Sequence, residues 1–110
     1  MLIIMWAPQV HADESPSHGH SHYESQLVIY NAKNKVDEAW EAFHEAALGG
    51  TLESPATQVK IKQYLHQARA LLIDAQEALE SEDRQRVLEL AEQIRELSEE
   101  ITKESKRKKQ

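Results

Sequence analysis

Residues 86–101 read RVLELAEQIRELSEEI, and this stretch decides the fold. Its apolar residues recur in alternating steps of three and four, at Val87, Leu90, Ile94, Leu97 and Ile101. A sustained repeat of about 3.5 residues is typical of helices that pack side by side at a shallow angle. The stretch therefore predicts one helix of a bundle, spanning residues 83–105, with Ser81 or Asp83 as its N-cap.

Two earlier stretches carry the same pattern. In residues 24–48 the apolar stripe consists of Ile29, Ala32, Val36, Ala39, Phe43 and Ala46. In residues 55–80 it consists of Ile61, Leu65, Ala68, Leu72, Ala75 and Leu79. Trp40 lies beside the first stripe, and we expect it to belong to the core together with Phe43.

The residues between these stretches are helix terminators. Gly49-Gly50 ends the first helix, because glycine readily takes the left-handed conformation. Ser54-Pro55 begins the second as N-cap and N1. Since both connections are short, neighbouring helices should run antiparallel. We predict an all-α fold, an antiparallel three-helix up-down-up bundle over residues 24–105. The joint at residues 80–83 has no Gly or Pro, so the alternative is a fused second and third helix that needs a partner chain.

Composition limits the function classes. The 110 residues suit one domain, and the absence of cysteine excludes disulfides and thiolate chemistry. The net charge is −6, but residues 103–110 carry +4, which leaves −10 on the remainder. Such an acidic body argues against nucleic acid as the main partner. The basic tail at residues 106–110 is either a solvated helix end or a contact for anionic lipid headgroups or an acidic partner.

The first twelve residues, MLIIMWAPQVHA, differ from the rest of the chain. An apolar run followed by Val10-His11-Ala12 is typical of the second half of a secretory signal peptide. No Lys or Arg precedes the run, which indicates an atypical leader or one that begins further upstream. We expect a periplasmic or secreted protein with no integral membrane segment in its mature chain, since the run is far shorter than the roughly 20 residues of a spanning helix. The alternative is an apolar N-terminus on a cytosolic protein.

Residues 17–25 read SHGHSHYES and place His18, His20 and His22 at alternating positions. We expect residues 13–23 to form a flexible, disordered segment whose three imidazoles gather round one ion. Neutral imidazole suits Cu(II), Ni(II) and Zn(II). The alternative is a polar linker in which the histidines have no role.

Catalytic motifs are missing from the sequence, and we expect no enzyme. Glu41-x-x-His44 has the spacing of di-metal carboxylate bundles, but the equivalent place in the second helix is Gln63-x-x-His66, which lacks the anionic oxygen. The predicted antiparallel register separates His44 from His66 by about seven residues, on the order of 10 Å, too far to share a haem iron. These two histidines are lesser metal candidates. Alternatively they pair with carboxylates, His44 with Glu41 or Glu45 and His66 with Asp37 or Glu38.

A histidine-rich stretch after an export signal, followed by Ala/Glu-rich helices, resembles the small periplasmic metal-binding protein family. The residues that carry the resemblance are Val36-Asp37-Glu38-Ala39, AFHEAALGG at residues 42–50 and Ala75-Gln76-Glu77-Ala78-Leu79. The resemblance spans roughly residues 30–100. It implies a helical fold that binds several divalent metals, copper prominently. The family is rich in histidine along its helices, whereas this chain keeps only His44 and His66 there.

Two functions follow as expectations. The first is an exported helical protein that binds or buffers copper, nickel or zinc through His18, His20 and His22, with lesser roles for His44 and His66. The second is a structural or protein-interaction module, whose helical faces dock a partner or self-associate without a metal.

Overall fold

In the computed structural model the chain forms three α-helices. The structure describes the backbone of residues 3–50, 52 and 54–107, and the side chains from His22 onward. Helix α1 spans Ile3–Gly49, α2 spans Pro55–Glu80 and α3 spans Arg84–Ser105. All three helices pack against one another, and the described residues contain no strand. The prediction of an all-α three-helix bundle is confirmed.

Ion pairs at the two ends of the bundle define its topology. Arg84 at the start of α3 pairs with Glu24 of α1 at 3.5 Å, so α1 and α3 run parallel. Lys60 near the start of α2 pairs with Glu104 near the end of α3 at 3.7 Å, so α2 runs antiparallel to α3. The order is therefore up-down-up.

The start of α1 differs from the prediction. We expected the helix to begin near Glu24 after a flexible segment at residues 13–23, but the structure extends it back to Ile3. The packed part of α1 supplies the unfavourable helix nucleus, after which each added residue gains one backbone hydrogen bond. Pro8 and Pro16, which have no N–H, each interrupt that ladder at one position. Residues 1 and 2 of the predicted signal peptide and residues 108–110 of the basic tail lie outside the described residues.

The predicted apolar stripes form the core. All six stripe residues of α1 are buried. In α2, Leu72 and Leu79 are only half-buried, while Ala78 and Thr57 are buried. In α3, Leu97 is half-buried and Ser98 is buried in its place.

Small residues explain why α3 buries a serine. On one side of its stripe α1 has a small buried residue at every seventh position, Ser25, Ala32, Ala39 and Ala46. The matching series on α3 is Ala91, Ser98 and Ser105. Small side chains let two helices approach closely, and α1 makes more extensive contact with α3 than with α2. Leu97 is too large for this interface and lies in the groove between α2 and α3 with Tyr64 and Leu71.

The turn after α1 and the turn after α2 each contain a residue with positive φ, Gly50 in the first and Glu82 in the second. Gly50 has φ +68, as predicted from the Gly-Gly pair. Ser54 caps α2 by accepting a hydrogen bond from the N–H of Thr57 at 3.2 Å, with Pro55 at N1. Asp83, one of the two residues predicted as the cap of α3, accepts from the N–H of Arg86 at 3.1 Å.

Candidate functional site

His22 lies in a small cleft at the end of the bundle that contains the α2–α3 turn. The cleft has a volume of about 40 Å³. Its wall is formed by His22 and Ser25 of α1 and by Glu82, Asp83 and Arg84 of the turn, and Leu79 and Val87 also line it. His22 itself is half-buried. The fold thus brings one of the predicted metal ligands beside two carboxylate residues that the sequence analysis had not connected with it.

The α2–α3 turn, which brings Glu82 and Asp83 to the cleft, has a defined backbone structure. The N–H of Glu82 donates to the carbonyl of Leu79 at 3.0 Å, and the N–H of Asp83 donates to the carbonyl of Ala78 at 2.9 Å. This pair of bonds is the Schellman motif, in which the residue after the C-cap takes the left-handed conformation. Here that residue is Glu82, with φ +59, where glycine is usual. The helices are therefore separate, and the fused-helix alternative is wrong.

Charged residues at the cleft and its edge take part in a helix cap and in an ion pair. One carboxylate oxygen of Asp83 caps α3 by accepting from the N–H of Arg86. Glu24 and Arg84 pair across the cleft's edge at 3.5 Å, with both side chains about half exposed. An imidazole beside two carboxylates is a nitrogen and oxygen donor set of the kind that binds Zn(II) and Cu(II). Among the residues with described side chains, no three His, Asp or Glu groups are already arranged round a metal position.

His18 and His20 lie outside the residues whose side chains are described. Their backbone belongs to α1. Alternating residues project to one side only from an extended backbone, whereas the backbone at positions 18, 20 and 22 is helical. In a helix, positions 18 and 22 share a face because they are four residues apart, whereas position 20 lies about 200° from position 18.

His44 stacks on Trp40. Their ring centroids are 5.6 Å apart with an interplanar angle of 26°. Trp40 is 39% exposed, so the expectation that it belongs to the core is wrong, whereas Phe43 is buried as predicted. Position 40 falls one residue outside the apolar stripe, and its indole therefore covers the edge of the α1–α2 groove. The guanidinium of Arg69 from α2 lies 5.3 Å from the indole centroid.

The same contact changes the predicted relation between His44 and His66. Because Trp40 meets Arg69 across antiparallel helices, position 44 lies near the level of position 65. The shared core cluster of Phe43 with Ile61 and Leu65 agrees with this register. The two histidines are thus within about one turn along the axis, closer than the expected separation of seven residues. Both side chains are exposed.

The ion pairs that were the alternative for His44 and His66 are absent from the described side chains. In the part of the chain whose side chains are described, no ion pair joins His44 or His66 to a carboxylate. Asp37, one expected partner of His66, instead pairs with Lys33 at 3.4 Å. His44 instead contacts the ring of Trp40.

None of the helices in the described part of the chain is long and apolar enough to cross a bilayer. The resemblance to the small periplasmic metal-binding proteins stays a prediction. Comparison of the chain with protein-family models, curated proteins and solved structures finds no significant match.

Proposed function

We propose that this protein binds divalent copper, nickel or zinc through His18, His20 and His22 at the end of the bundle, where Glu82 and Asp83 complete the donor set. The observation that supports this proposal is the cleft that contains His22 together with both carboxylate residues. Two histidines four residues apart on one helix are a known metal-binding spacing. His18 and His22 are therefore the principal ligands of the proposal, and His20 is a secondary one.

The role is binding or buffering rather than catalysis, in a periplasmic or secreted protein. Affinity should be modest, because the donor groups come from two separate segments of the chain. Selectivity should follow the intrinsic divalent order, in which copper binds most tightly. Export through residues 1–12 is tested by sequencing the N-terminus of the native protein, where an intact Met1 contradicts it.

Calorimetry with Cu(II), Ni(II) and Zn(II) tests the metal site. The triple variant H18A/H20A/H22A should lose at least about tenfold in affinity, since it removes all three imidazoles. The matched control H44A/H66A should stay within about twofold, because its histidines are elsewhere on the surface. Equal affinity for the triple variant and the unaltered chain would exclude the site. Binding should also weaken below about pH 6, where protons compete for imidazole.

The carboxylates have an isosteric test. Glu82→Gln and Asp83→Asn remove the charge but keep side-chain size, and asparagine remains a good N-cap for α3. We expect the pair to lose about three- to tenfold in metal affinity with no change in helix content by circular dichroism. Unchanged affinity would show that the imidazoles act without the α2–α3 turn.

Trp40 reports on the lesser candidate His44. Because the two rings stack at 5.6 Å, Cu(II) bound to His44 should strongly quench Trp40 fluorescence. A Trp6→Phe background leaves Trp40 as the single tryptophan. Quenching at the same copper concentration that fills the main site would show that His44 binds copper as a principal ligand.

A second candidate function is a protein-interaction module. Tyr23, Leu27 and Tyr30 follow one another in steps of four and three on α1, and all three are exposed. Such spacing presents one apolar strip to a partner helix. Light scattering with and without chelator separates the two functions. A chelator-insensitive dimer that Y23S/L27S/Y30S converts to monomer would favour this one.

A further inference from the structure

The end of the bundle opposite His22 gathers basic residues from two helices. Because α2 begins where α3 ends, the residues Lys60, Lys62, Lys103, Lys106 and Arg107 lie at this end, and all five are exposed. We call this group the basic end. The sequence continues the group with Lys108 and Lys109.

Among its described residues, the basic end contains Glu104, whose carboxylate is withdrawn from solvent. The Glu104 side chain is only 6% exposed, and it pairs with Lys60 at 3.7 Å and with Arg107 at 3.5 Å. The nearest acidic residue of α1 is Glu45, one turn before that helix ends. Among the described residues at this end, the exposed charged side chains are therefore mainly cationic.

Two exposed aliphatic side chains lie at the same end of the molecule. Leu48, in the last turn of α1, is 76% exposed, and Val59, near the start of α2, is 56% exposed. An ionic partner in water needs only charged residues on the surface that binds it. Aliphatic groups beside lysines are a combination that suits a membrane interface, where the apolar part enters below the headgroups.

Charge distribution restricts how such a partner can approach. Residues 103–110 with Lys60 and Lys62 carry +6, and the whole chain carries −6, so the remainder carries −12. A nucleic-acid duplex binds along an extended basic face, and this acidic body would repel it. A flat anionic bilayer can be met end-on, with the acidic body directed away from it.

We propose that the basic end of the bundle docks on an anionic lipid bilayer, with Lys62, Lys103 and Lys106 at the headgroup phosphates and Leu48 and Val59 in the interface. This attachment is peripheral. It is independent of the metal proposal, whose residues lie at the opposite end.

Co-sedimentation of the full chain with vesicles tests the proposal. Vesicles of phosphatidylcholine with phosphatidylglycerol should bind the chain at least about tenfold better than pure phosphatidylcholine, and 0.5 M salt, used as the high-salt arm, should remove most of the difference. The variant K62E/K103E/K106E should bind on the order of a hundredfold more weakly. It spares Lys60 and Arg107, so that buried Glu104 keeps its partners.

The matched control is K33E/K35E/R86E, which makes the same change of net charge far from the basic end. It should weaken binding by no more than about threefold. For the aliphatic part, L48S/V59S should lose about three- to tenfold, and L27S/I73S should lose nothing. Ile73 is 57% exposed, which makes it a close match for Val59. Helix content by circular dichroism verifies that each variant folds.

Three results would overturn the proposal. One is equal binding to anionic and neutral vesicles. Another is equal loss in the charge variant and its control, because the effect would then come from net charge alone. The third is evidence of a different anionic partner. Such evidence would be either tighter binding to duplex DNA than to vesicles at the same salt, or a dimer that depends on the basic end and forms without vesicle binding.

Discussion

The two ends of this bundle are built from the same three helices but differ in charge and in how the chain turns. One end holds His22 beside Glu82 and Asp83, at a turn without glycine or proline. The other end holds the basic residues with exposed Leu48 and Val59, near a turn that contains Gly50 and Pro55. Both proposed sites lie at the ends of the bundle, whereas its sides carry the core stripes and, on α1, the exposed strip of Tyr23, Leu27 and Tyr30.

The core follows the same division. One buried cluster, near the basic end, includes Phe43, Ile61, Leu65 and Ile101. The other, near the His22 end, includes Val36, Ala75, Val87 and Leu90. Whether these clusters act as one cooperative unit decides how far the two ends are independent.

The largest effects should come from Leu65→Ala and Leu90→Ala, one in each cluster. Both side chains are almost fully buried, so each change should lower the free energy of unfolding by about 3 kcal/mol. Urea unfolding measures the midpoint and the slope. Similar losses with an unchanged slope mean one cooperative core. A lowered slope or two transitions in either variant would mean that the ends unfold separately.

Both turns should be more stable with glycine at the position that has positive φ. Gly50 has φ +68 and nothing within 4 Å of an added Cβ, so Gly50→Ala should cost about 1 kcal/mol from backbone strain alone. Glu82 has φ +59, so Glu82→Gly should stabilise the protein by about 0.5 kcal/mol.

Ser81→Gly is the control for the turn experiment. Its φ is −84, so glycine relieves no strain there and should destabilise the protein. Thermal unfolding of the three variants measures the differences. A loss of stability in Glu82→Gly would show that the contacts of the Glu82 side chain outweigh its backbone strain.

Two buried serines lie on α3, in the half of the helix nearer the basic end. Along its interface with α1 the series begins with Ala91 and continues with Ser98 and Ser105 towards the basic end, and neither hydroxyl has a hydrogen-bond partner. Ser98→Ala should therefore raise the free energy of unfolding by about 1 kcal/mol. Ser54→Ala, which removes a hydroxyl that caps α2, should lower it by about 1 kcal/mol. Equal losses in urea unfolding would mean that Ser98 is paired in solution.

The smallest effect is expected on the solvated side between the two ends. Arg95 hydrogen-bonds Glu92 and thereby lowers the pKa of that carboxyl group below its ordinary value. A carboxyl group with a lowered pKa stabilises the fold above its ordinary pKa, and this contribution is lost as the pH falls through the lowered value. Arg95→Gln should return the pKa of Glu92 towards normal, as followed by carbon NMR titration, and Arg86→Gln should leave it unchanged. An unshifted Glu92 in Arg95→Gln would contradict the assigned cause.

Much of this fold follows from local pattern. The three stripes, the Gly50 turn and the Ser54-Pro55 cap are all readable, because helix periodicity and capping depend on residues that are close in sequence. The break after α2 was predicted from Ser81 and Asp83 as candidate caps, but the left-handed conformation of Glu82 is not readable, because a residue other than glycine takes it. The exposure of Trp40 is decided by how near α2 lies.

The candidate site divides in the same way. His22 was recognisable from the spacing of the histidines, whereas Glu82 and Asp83 lie sixty residues further along the chain and have no motif that connects them to it. The sequence by itself determined the number of helices, their order and their bounds apart from the start of α1, and the residue types at each end. Only the tertiary structure decided which of those residues meet, because meeting depends on the axial register and on the angle at which packed helices face each other, and both are set by side-chain volumes contributed by all three helices together.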